Sequence, residues 1–169
     1  MSLPEQAVIL LVEDRDDDVF LVRRALRQAK VFNPFFLVRD GEEALSYLEG
    51  KGKYRNRDEY PLPDIMLLDL KMPKMDGFEV LRYVRSKPEF KALRIIVLTS
   101  SEELKDVNKA YEIGANSFLV KPLEFDNYPA MLRTLASFWL QHSRAPIVER
   151  APDSKRNGRA SGNGKSGAG

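Results

Sequence analysis

Residues 65–77 read IMLLDLKMPKMDG, and this stretch decides the fold. Four apolar residues, 65–68, lead directly into Asp69, and the stretch closes with Asp76 and Gly77. So short an apolar run, with no polar alternation, is typical of a strand buried on both faces of a parallel sheet. Open parallel sheets bind ligands beyond the carboxyl ends of their strands, and Asp69 stands at such an end.

The rest of the chain repeats this arrangement. Further apolar runs occupy residues 7–12, 35–38, 94–98 and 117–120, and helix-like segments occupy residues 17–30, 41–50, 76–86, 102–113 and 124–141. Three of these helices are preceded by a capping side chain placed three residues before a glutamate. The three pairs are Asp40 with Glu43, Asp76 with Glu79, and Ser100 with Glu103. Gly114 is placed to end the fourth helix. Five alternating strand–helix units predict a doubly wound α/β fold with five helices around a five-stranded parallel sheet.

Polar side chains follow four of the five predicted strands. The first strand leads into Glu13 and Asp14, the third into Asp69, the fourth into Thr99 and the fifth into Lys121. Any one of these residues alone is more often just the beginning of a loop. Three carboxylates on one rim repel one another, however, so the cluster must take up protons, pair, or hold a cation. Mg²⁺ suits such a site because it binds one or two carboxylates, keeps several waters and accepts a phosphate oxygen.

Four stretches together resemble the response-regulator receiver domains of two-component signalling. They are residues 12–14 (VED), 68–77 (LDLKMPKMDG), 97–100 (VLTS) and 118–122 (FLVKP), and the resemblance spans residues 7–141. It implies a flavodoxin-like receiver fold with strand order 2-1-3-4-5. The long connection 49–63 and the SFWL sequence at 137–140 look like those of stand-alone regulators paired with phytochrome kinases.

The resemblance also implies residue roles. Asp69 would accept a phosphoryl group from a histidine of the kinase. Asp14, Asp69 and the main-chain carbonyl of Lys71 would bind Mg²⁺, while Glu13 would act mainly through water. Lys121 would bind the phosphoryl oxygens.

Further roles follow from the same resemblance. Thr99 would hydrogen-bond a phosphoryl oxygen and, when drawn toward it, leave space for the aromatic ring of Phe118, where the family often has tyrosine. The alternative is that Phe118 is simply a core residue of its strand. The Lys121–Pro122 peptide bond would be cis. Lys71 and Ser101 would flank the phosphoryl group and influence its hydrolysis.

Two other classes of function remain open on the sequence. A Mg²⁺-dependent phosphohydrolase on a similar sheet needs a second acid two residues after the nucleophile, and Lys71 stands there instead. We therefore expect a phosphoacceptor that catalyses only its own phosphorylation and dephosphorylation. Nucleic-acid binding rests only on the basic residues near the C-terminus and is a weaker alternative.

Composition divides the 169-residue chain at residue 143. Residues 143–169 hold half of the ten glycines and six lysines and arginines, so we expect a receiver domain over 1–142 and a disordered basic tail over 143–169. Cysteine is absent, and the single histidine, His142, excludes a phosphohistidine donor within the domain. No apolar run is long enough to span a bilayer and no signal peptide is apparent, so a cytoplasmic location is expected.

Partners are expected at the protein surface. The resemblance implies a histidine kinase of the phytochrome type, together with a downstream protein that the sequence does not identify. Phe138, Trp139 and Leu140 are consecutive and cannot all face the core, so we expect a homodimer that uses the last helix or its extension. The charged connection 49–63 is expected to be a solvated surface loop, with a partner-contact loop as the alternative.

Overall fold

The computed structural model describes residues 7–142, with side chains through Trp139. The strands are β1 (Ile9–Val12), β2 (Phe35–Val38), β3 (Ile65–Leu68), β4 (Arg94–Thr99) and β5 (Ser117–Val120). The helices are α1 (Asp16–Gln28), α2 (Gly41–Glu49), α3 (Gly77–Ser86), α4 (Leu104–Ile113) and α5 (Tyr128–Ala136). A 3₁₀ turn, Phe125–Asn127, precedes α5, and a π-helical turn, Ser137–His142, continues it. Among these helices, none combines the length and the apolar character that crossing a bilayer requires.

The strands form one parallel sheet in the order β2-β1-β3-β4-β5. This confirms the predicted doubly wound α/β fold and its strand order. Leu68 of β3 pairs with Val12 of β1 and with Val97 of β4. The residues that follow these strands therefore emerge at one rim of the sheet.

The sheet separates two hydrophobic cores, and successive strand residues point into opposite ones. Leu10 and Met66 pack with α2, α3 and α4, whereas Leu11 and Leu67 pack with α1 and α5. The uninterrupted apolar runs of β1 and β3 serve both cores, and all their residues are buried. The prediction of strands buried on both faces is wrong for most of β2 and for β5, which are half-buried. Both lie at the edges of the sheet and have a neighbouring strand on one side only.

Two of the three predicted helix starts are confirmed by their caps. Asp40 accepts a hydrogen bond from the main-chain N–H of Glu43, and Asp76 forms a reciprocal capping box with Glu79. The predicted cap at Ser100 is wrong, since α4 begins after Glu103, whose side chain makes no capping bond. The predicted end of that helix at Gly114 is confirmed, and this glycine has a φ of 126° that other residues rarely adopt.

The connection between α2 and β3 packs onto the domain. Tyr54 is buried, and its ring lies 4.9 Å from that of Tyr47 and 5.0 Å from that of Tyr60. Arg57 donates to the carbonyl oxygens of Tyr47 and Leu48, near the C-terminus of α2, and to that of Tyr60. The expectation of a solvated loop is wrong for these residues. The polar composition of the segment conceals two tyrosines, Tyr54 and Tyr60, that pack with Tyr47 of α2, and an arginine that donates to carbonyls at a helix end.

Candidate functional site

Three carboxylates meet where β1 and β3 end. One oxygen from each of Glu13, Asp14 and Asp69 lies within 4.8 Å of the other two. Glu13 and Asp69 are 1% and 5% exposed, and Asp14 is half-buried. The Oδ1 atom of Asp14 is buried and accepts no hydrogen bond from the part of the chain that the structure describes. A buried oxygen without a donor, beside two further carboxylates, fits a hard divalent cation such as Mg²⁺.

Lys121 supplies the positive charge of the cluster. Its Nζ lies 2.6 Å from Glu13 Oε2, 2.9 Å from Asp18 Oδ2 and 3.3 Å from Asp69 Oδ2. The lysine side chain is 9% exposed. Asp18 was missed by the sequence reasoning, which considered only residues at strand ends. It lies in the first turn of α1, and no pattern at the strand ends indicates that it reaches the site.

The electrostatics of the site follow from burial and crowding. Burial raises the pKa of Glu13 to about 7; the hydrogen bond from Lys121 opposes this effect, and the charge of Asp69 adds to it. Burial alone would lower the pKa of Lys121, but the hydrogen bond to Glu13 and the charge of Asp69 outweigh it and raise that pKa. The lysine therefore remains an ammonium at physiological pH, whereas the pKa of Glu13 lies close to physiological pH.

Two glycines allow the backbone after Asp69 to pack tightly. A Cβ atom on Gly77 would lie 2.3 Å from the carbonyl oxygen of Asp69, and one on Gly41 would lie 2.5 Å from that of Met75. The main-chain N–H of Gly77 also donates to the carbonyl of Leu70 at 2.9 Å. The acceptor loop, residues 69–76, is thus held between the first residues of α2 and α3.

Thr99 and Ser101 lie on the neighbouring side of the rim. Both are buried, and the carbonyl oxygen of Thr99 accepts from the main-chain N–H of Lys121 at 2.7 Å. The Ser101 hydroxyl donates to Asp106 Oδ2 at 2.6 Å. Phe118 of β5 is half-buried and packs against the core beneath α2, α3 and α4.

A cleft of about 380 Å³ opens beside the carboxylates. Asp14, Lys71 and Asp106 are among the residues that line it. The main-chain N–H of Lys71 approaches Asp69 Oδ1 at 3.4 Å, a long hydrogen bond. Asp14 is the member of the acid cluster that lines this cleft, so a small ligand in it would meet that carboxylate.

The prediction of a cis peptide bond between Lys121 and Pro122 is wrong, since this bond is trans. A trans X–Pro bond is favoured by about 0.5–1 kcal/mol. In the trans form the Lys121 ammonium already reaches three carboxylates, so its position needs no cis bond.

The comparisons with known proteins agree on one family. The family model described as "Response regulator receiver domain" matches residues 9–133. The chain is 37% identical to the response regulator Rcp1 of Synechocystis sp. over 141 residues, covering 83% of this chain and 94% of Rcp1.

Solved structures give the same result. The Mn²⁺-bound form of Rcp1 superposes with a TM-score of 0.75 at 35% identity, covering 83% of this chain and 99% of that one. The phosphorylated cyanobacterial phytochrome response regulator RcpA superposes with a TM-score of 0.78 at 34% identity, covering 84% and 99%.

Proposed function

This chain belongs to the response regulator receiver domain family, and we propose that it accepts a phosphoryl group from a histidine kinase on Asp69. The observation that carries this assignment is the acid cluster of Glu13, Asp14 and Asp69 in contact with the Lys121 ammonium. Asp69 is the member that follows the central strand β3 and begins the acceptor loop. Its carboxylate accepts a long hydrogen bond from the main-chain N–H of Lys71, which lines the cleft. It also lies 3.3 Å from the Nζ of Lys121, the residue proposed to bind the phosphoryl oxygens.

The proposed metal ligands are Asp14, Asp69 and the main-chain carbonyl of Lys71, with Glu13 acting through water. The Oδ1 of Asp14, which has no hydrogen-bond partner within the described residues, supports this choice, as does the Mn²⁺-bound form of the related Rcp1. When bound there, Mg²⁺ offsets the negative charge that develops on the phosphoryl oxygens.

The residues of the chain position the transfer. A carboxylate oxygen of Asp69 forms a bond to phosphorus while the phosphorus–nitrogen bond of the kinase phosphohistidine breaks, and the electron pair of that bond returns to the imidazole. The Lys121 ammonium turns one of its N–H donors to the new phosphoryl oxygens, and the Thr99 hydroxyl donates to one of these oxygens. Such positioned charge is the main source of catalysis in phosphoryl transfer.

Intact-mass spectrometry tests the assignment. Wild type incubated with acetyl phosphate and Mg²⁺ should gain the mass of one phosphoryl group, and Asp69→Asn should gain none. Asp58→Asn, an aspartate exposed in the connection before β3, is the matched control and should behave as wild type. Phosphorylation of Asp69→Asn to the wild-type extent would refute the assignment.

We propose that phosphorylation is read out through Thr99 and Phe118. Movement of Thr99 toward the phosphoryl group vacates space into which the half-buried Phe118 ring turns. Lys71 and Ser101 then influence how fast the phosphoryl group is hydrolysed. The half-lives of the phosphorylated Lys71→Ala and Ser101→Ala variants test this, and values equal to wild type would contradict it.

The finer identity of the partners is also a proposal. We propose a phytochrome-type kinase because the relative RcpA is described as a phytochrome response regulator. Phosphotransfer from purified kinases tests this: a phytochrome kinase should transfer faster than an unrelated histidine kinase. An equal rate from both would contradict it.

A homodimer through the end of the last helix is proposed as well. Near that end Trp139 packs against the core while Phe138 is 57% exposed, so an aromatic ring is available for a second copy. Light scattering at micromolar concentration should give the mass of two protomers for wild type and of one for Phe138→Ser. A wild-type mass of one protomer would refute the dimer.

The remaining predictions concern residues or surroundings that the structure does not describe. The tail, 143–169, lies outside the described residues, and its disorder stays a prediction that NMR linewidths can test. The downstream protein stays unidentified, and a cytoplasmic location stays a prediction for cell fractionation. DNA binding that persists after deletion of 143–169 would contradict the view that nucleic acid is not a partner.

A further inference from the structure

Asp18 is a fourth carboxylate at the site and belongs to none of the roles assigned above. Its Oδ2 lies 2.9 Å from the Lys121 Nζ, closer than Asp69 Oδ2 at 3.3 Å. The Asp18 side chain is 18% exposed, and it comes from the first turn of α1 rather than from a strand end. The ammonium is therefore shared between the acids of the phosphorylation site and a separate acid on a helix.

The same oxygen of Asp18 faces a second cation. Arg15 Nε lies 3.7 Å from Asp18 Oδ2, and the Arg15 side chain is 70% exposed. At 3.7 Å this guanidinium is already within ion-pair distance of the carboxylate. Asp18 therefore has a cationic partner both with and without the Lys121 contact, so the loss of Lys121 does not leave a partly buried carboxylate unpaired.

Lys121 has too few N–H donors to keep all its present hydrogen bonds and also bind a phosphoryl group. An ammonium has three N–H donors, and these already face Glu13, Asp18 and Asp69. Phosphorylation of Asp69 adds oxygens that need at least one of those donors. One existing contact must be given up, and the contact with the most exposed acid, Asp18, is the one most easily replaced by water or by Arg15.

We propose that Asp18 is a positioning residue that binds the Lys121 ammonium before phosphorylation. An incoming phosphoryl group then competes with Asp18 for this ammonium, and Arg15 pairs with the Asp18 carboxylate that is released. This inference rests on the proposed function of Asp69. Asp18 does not touch the phosphoryl group in this scheme; it sets how tightly the phosphoryl group, once present, is held by Lys121.

Binding of the phosphoryl mimic BeF₃⁻ at saturating Mg²⁺ tests the competition. Asp18→Asn removes the competing charge, and we expect it to bind BeF₃⁻ about fivefold more tightly, because the lost contact is partly solvated and has the net effect of an ordinary hydrogen bond. The dissociation constant is measured by ¹⁹F NMR. Asp17→Asn removes the same charge from the same helical turn, at an exposed position, and is expected to leave the constant near its wild-type value.

The part assigned to Arg15 is tested by a double-mutant cycle. Arg15→Gln strengthens the hold of Asp18 on Lys121, so it should weaken BeF₃⁻ binding. The same change in an Asp18→Asn background should have no effect. An equal effect in both backgrounds would mean that Arg15 attracts the anion directly, and would overturn its assigned part.

A second readout needs neither metal nor anion. In metal-free protein the side-chain ¹⁵N signal of the Lys121 ammonium should shift in Asp18→Asn and stay in place in Asp17→Asn. A signal that moves in Asp18→Asn while BeF₃⁻ binding stays at the wild-type value would mean that Asp18 contacts Lys121 without competing for it. Failure of wild type to bind BeF₃⁻ would contradict the proposed function itself, whereas equal binding by wild type, Asp17→Asn and Asp18→Asn would overturn this inference alone.

Discussion

Replacing Glu13 with glutamine separates the two forces that act on this buried acid. Burial disfavours the carboxylate, and the hydrogen bond from Lys121 favours it, with burial the larger effect. Because the pKa in the folded protein is raised above its ordinary value of 4.5, the folded state keeps a proton that the unfolded state has released. Folding stability should therefore fall as pH rises from about 4.5 to about 7 and stay low above that.

The magnitude follows from the size of the pKa change. The step from 4.5 to about 7, at about 1.4 kcal/mol for each pH unit, corresponds to about 3 kcal/mol lost by metal-free wild type between pH 4.5 and pH 8. Glutamine resembles the protonated acid and carries no charge at either pH. Glu13→Gln should therefore match wild type to within about 1 kcal/mol at low pH and exceed its unfolding free energy by about 3 kcal/mol at pH 8.

Urea unfolding of metal-free protein at several pH values measures this difference. Glu42→Gln, the same change at an exposed position in α2, is the control and should alter the unfolding free energy by less than about 0.5 kcal/mol at every pH. Saturating Mg²⁺ should remove most of the loss at high pH, since a cation offsets the carboxylate. A Glu13→Gln variant less stable than wild type at pH 8 would show that the Lys121 pairing outweighs burial, and would refute the reasoning.

Three further changes have definite expected results. Gly77→Ala places a Cβ against the Asp69 carbonyl oxygen, so it should destabilise the fold by about 2 kcal/mol in urea unfolding and slow phosphorylation by acetyl phosphate; wild-type values of both would contradict the close contact. Arg57→Ala removes the guanidinium donors from the Tyr47 and Leu48 carbonyls, of which, over residues 7–142, only that of Tyr47 keeps a main-chain donor, Gly50 N–H, and should cost about 2 kcal/mol in the same assay; a change below about 0.5 kcal/mol would show that water replaces the guanidinium. Ser101→Ala frees the Asp106 carboxylate beside the cleft to activate water, so the phosphoryl half-life should shorten severalfold, and adding Asp106→Asn should restore it; a half-life that stays short in the double variant would exclude Asp106 as the cause.

The fold and most of the site were predictable because their signals are local. The apolar runs of β1 and β3 serve two cores at once, so their composition alone indicates a parallel sheet covered on both faces. The carboxyl ends of such strands share one rim, and strand ends alone therefore predict that Glu13, Asp14, Asp69 and Lys121 lie together.

What escaped prediction depends on contacts between distant parts of the chain. Asp18 reaches the site because the phase of α1 turns it toward Lys121, 103 residues away, and no strand-end pattern contains that information. The connection before β3 reads as polar, yet Arg57 binds carbonyls of the preceding helix. In both cases a charged side chain finds its partner through packing, which composition does not encode.

Gly41 contributes no atom to the proposed chemistry, yet a methyl group there would press on Met75 in the acceptor loop. The loop that begins at Asp69 therefore packs directly against the first turn of α2, and the shape of that turn limits the conformations open to the loop. Position 41 is tied to the shape of that loop and not only to the start of α2. A redesign of the acceptor loop must therefore include the residues in the first turn of α2.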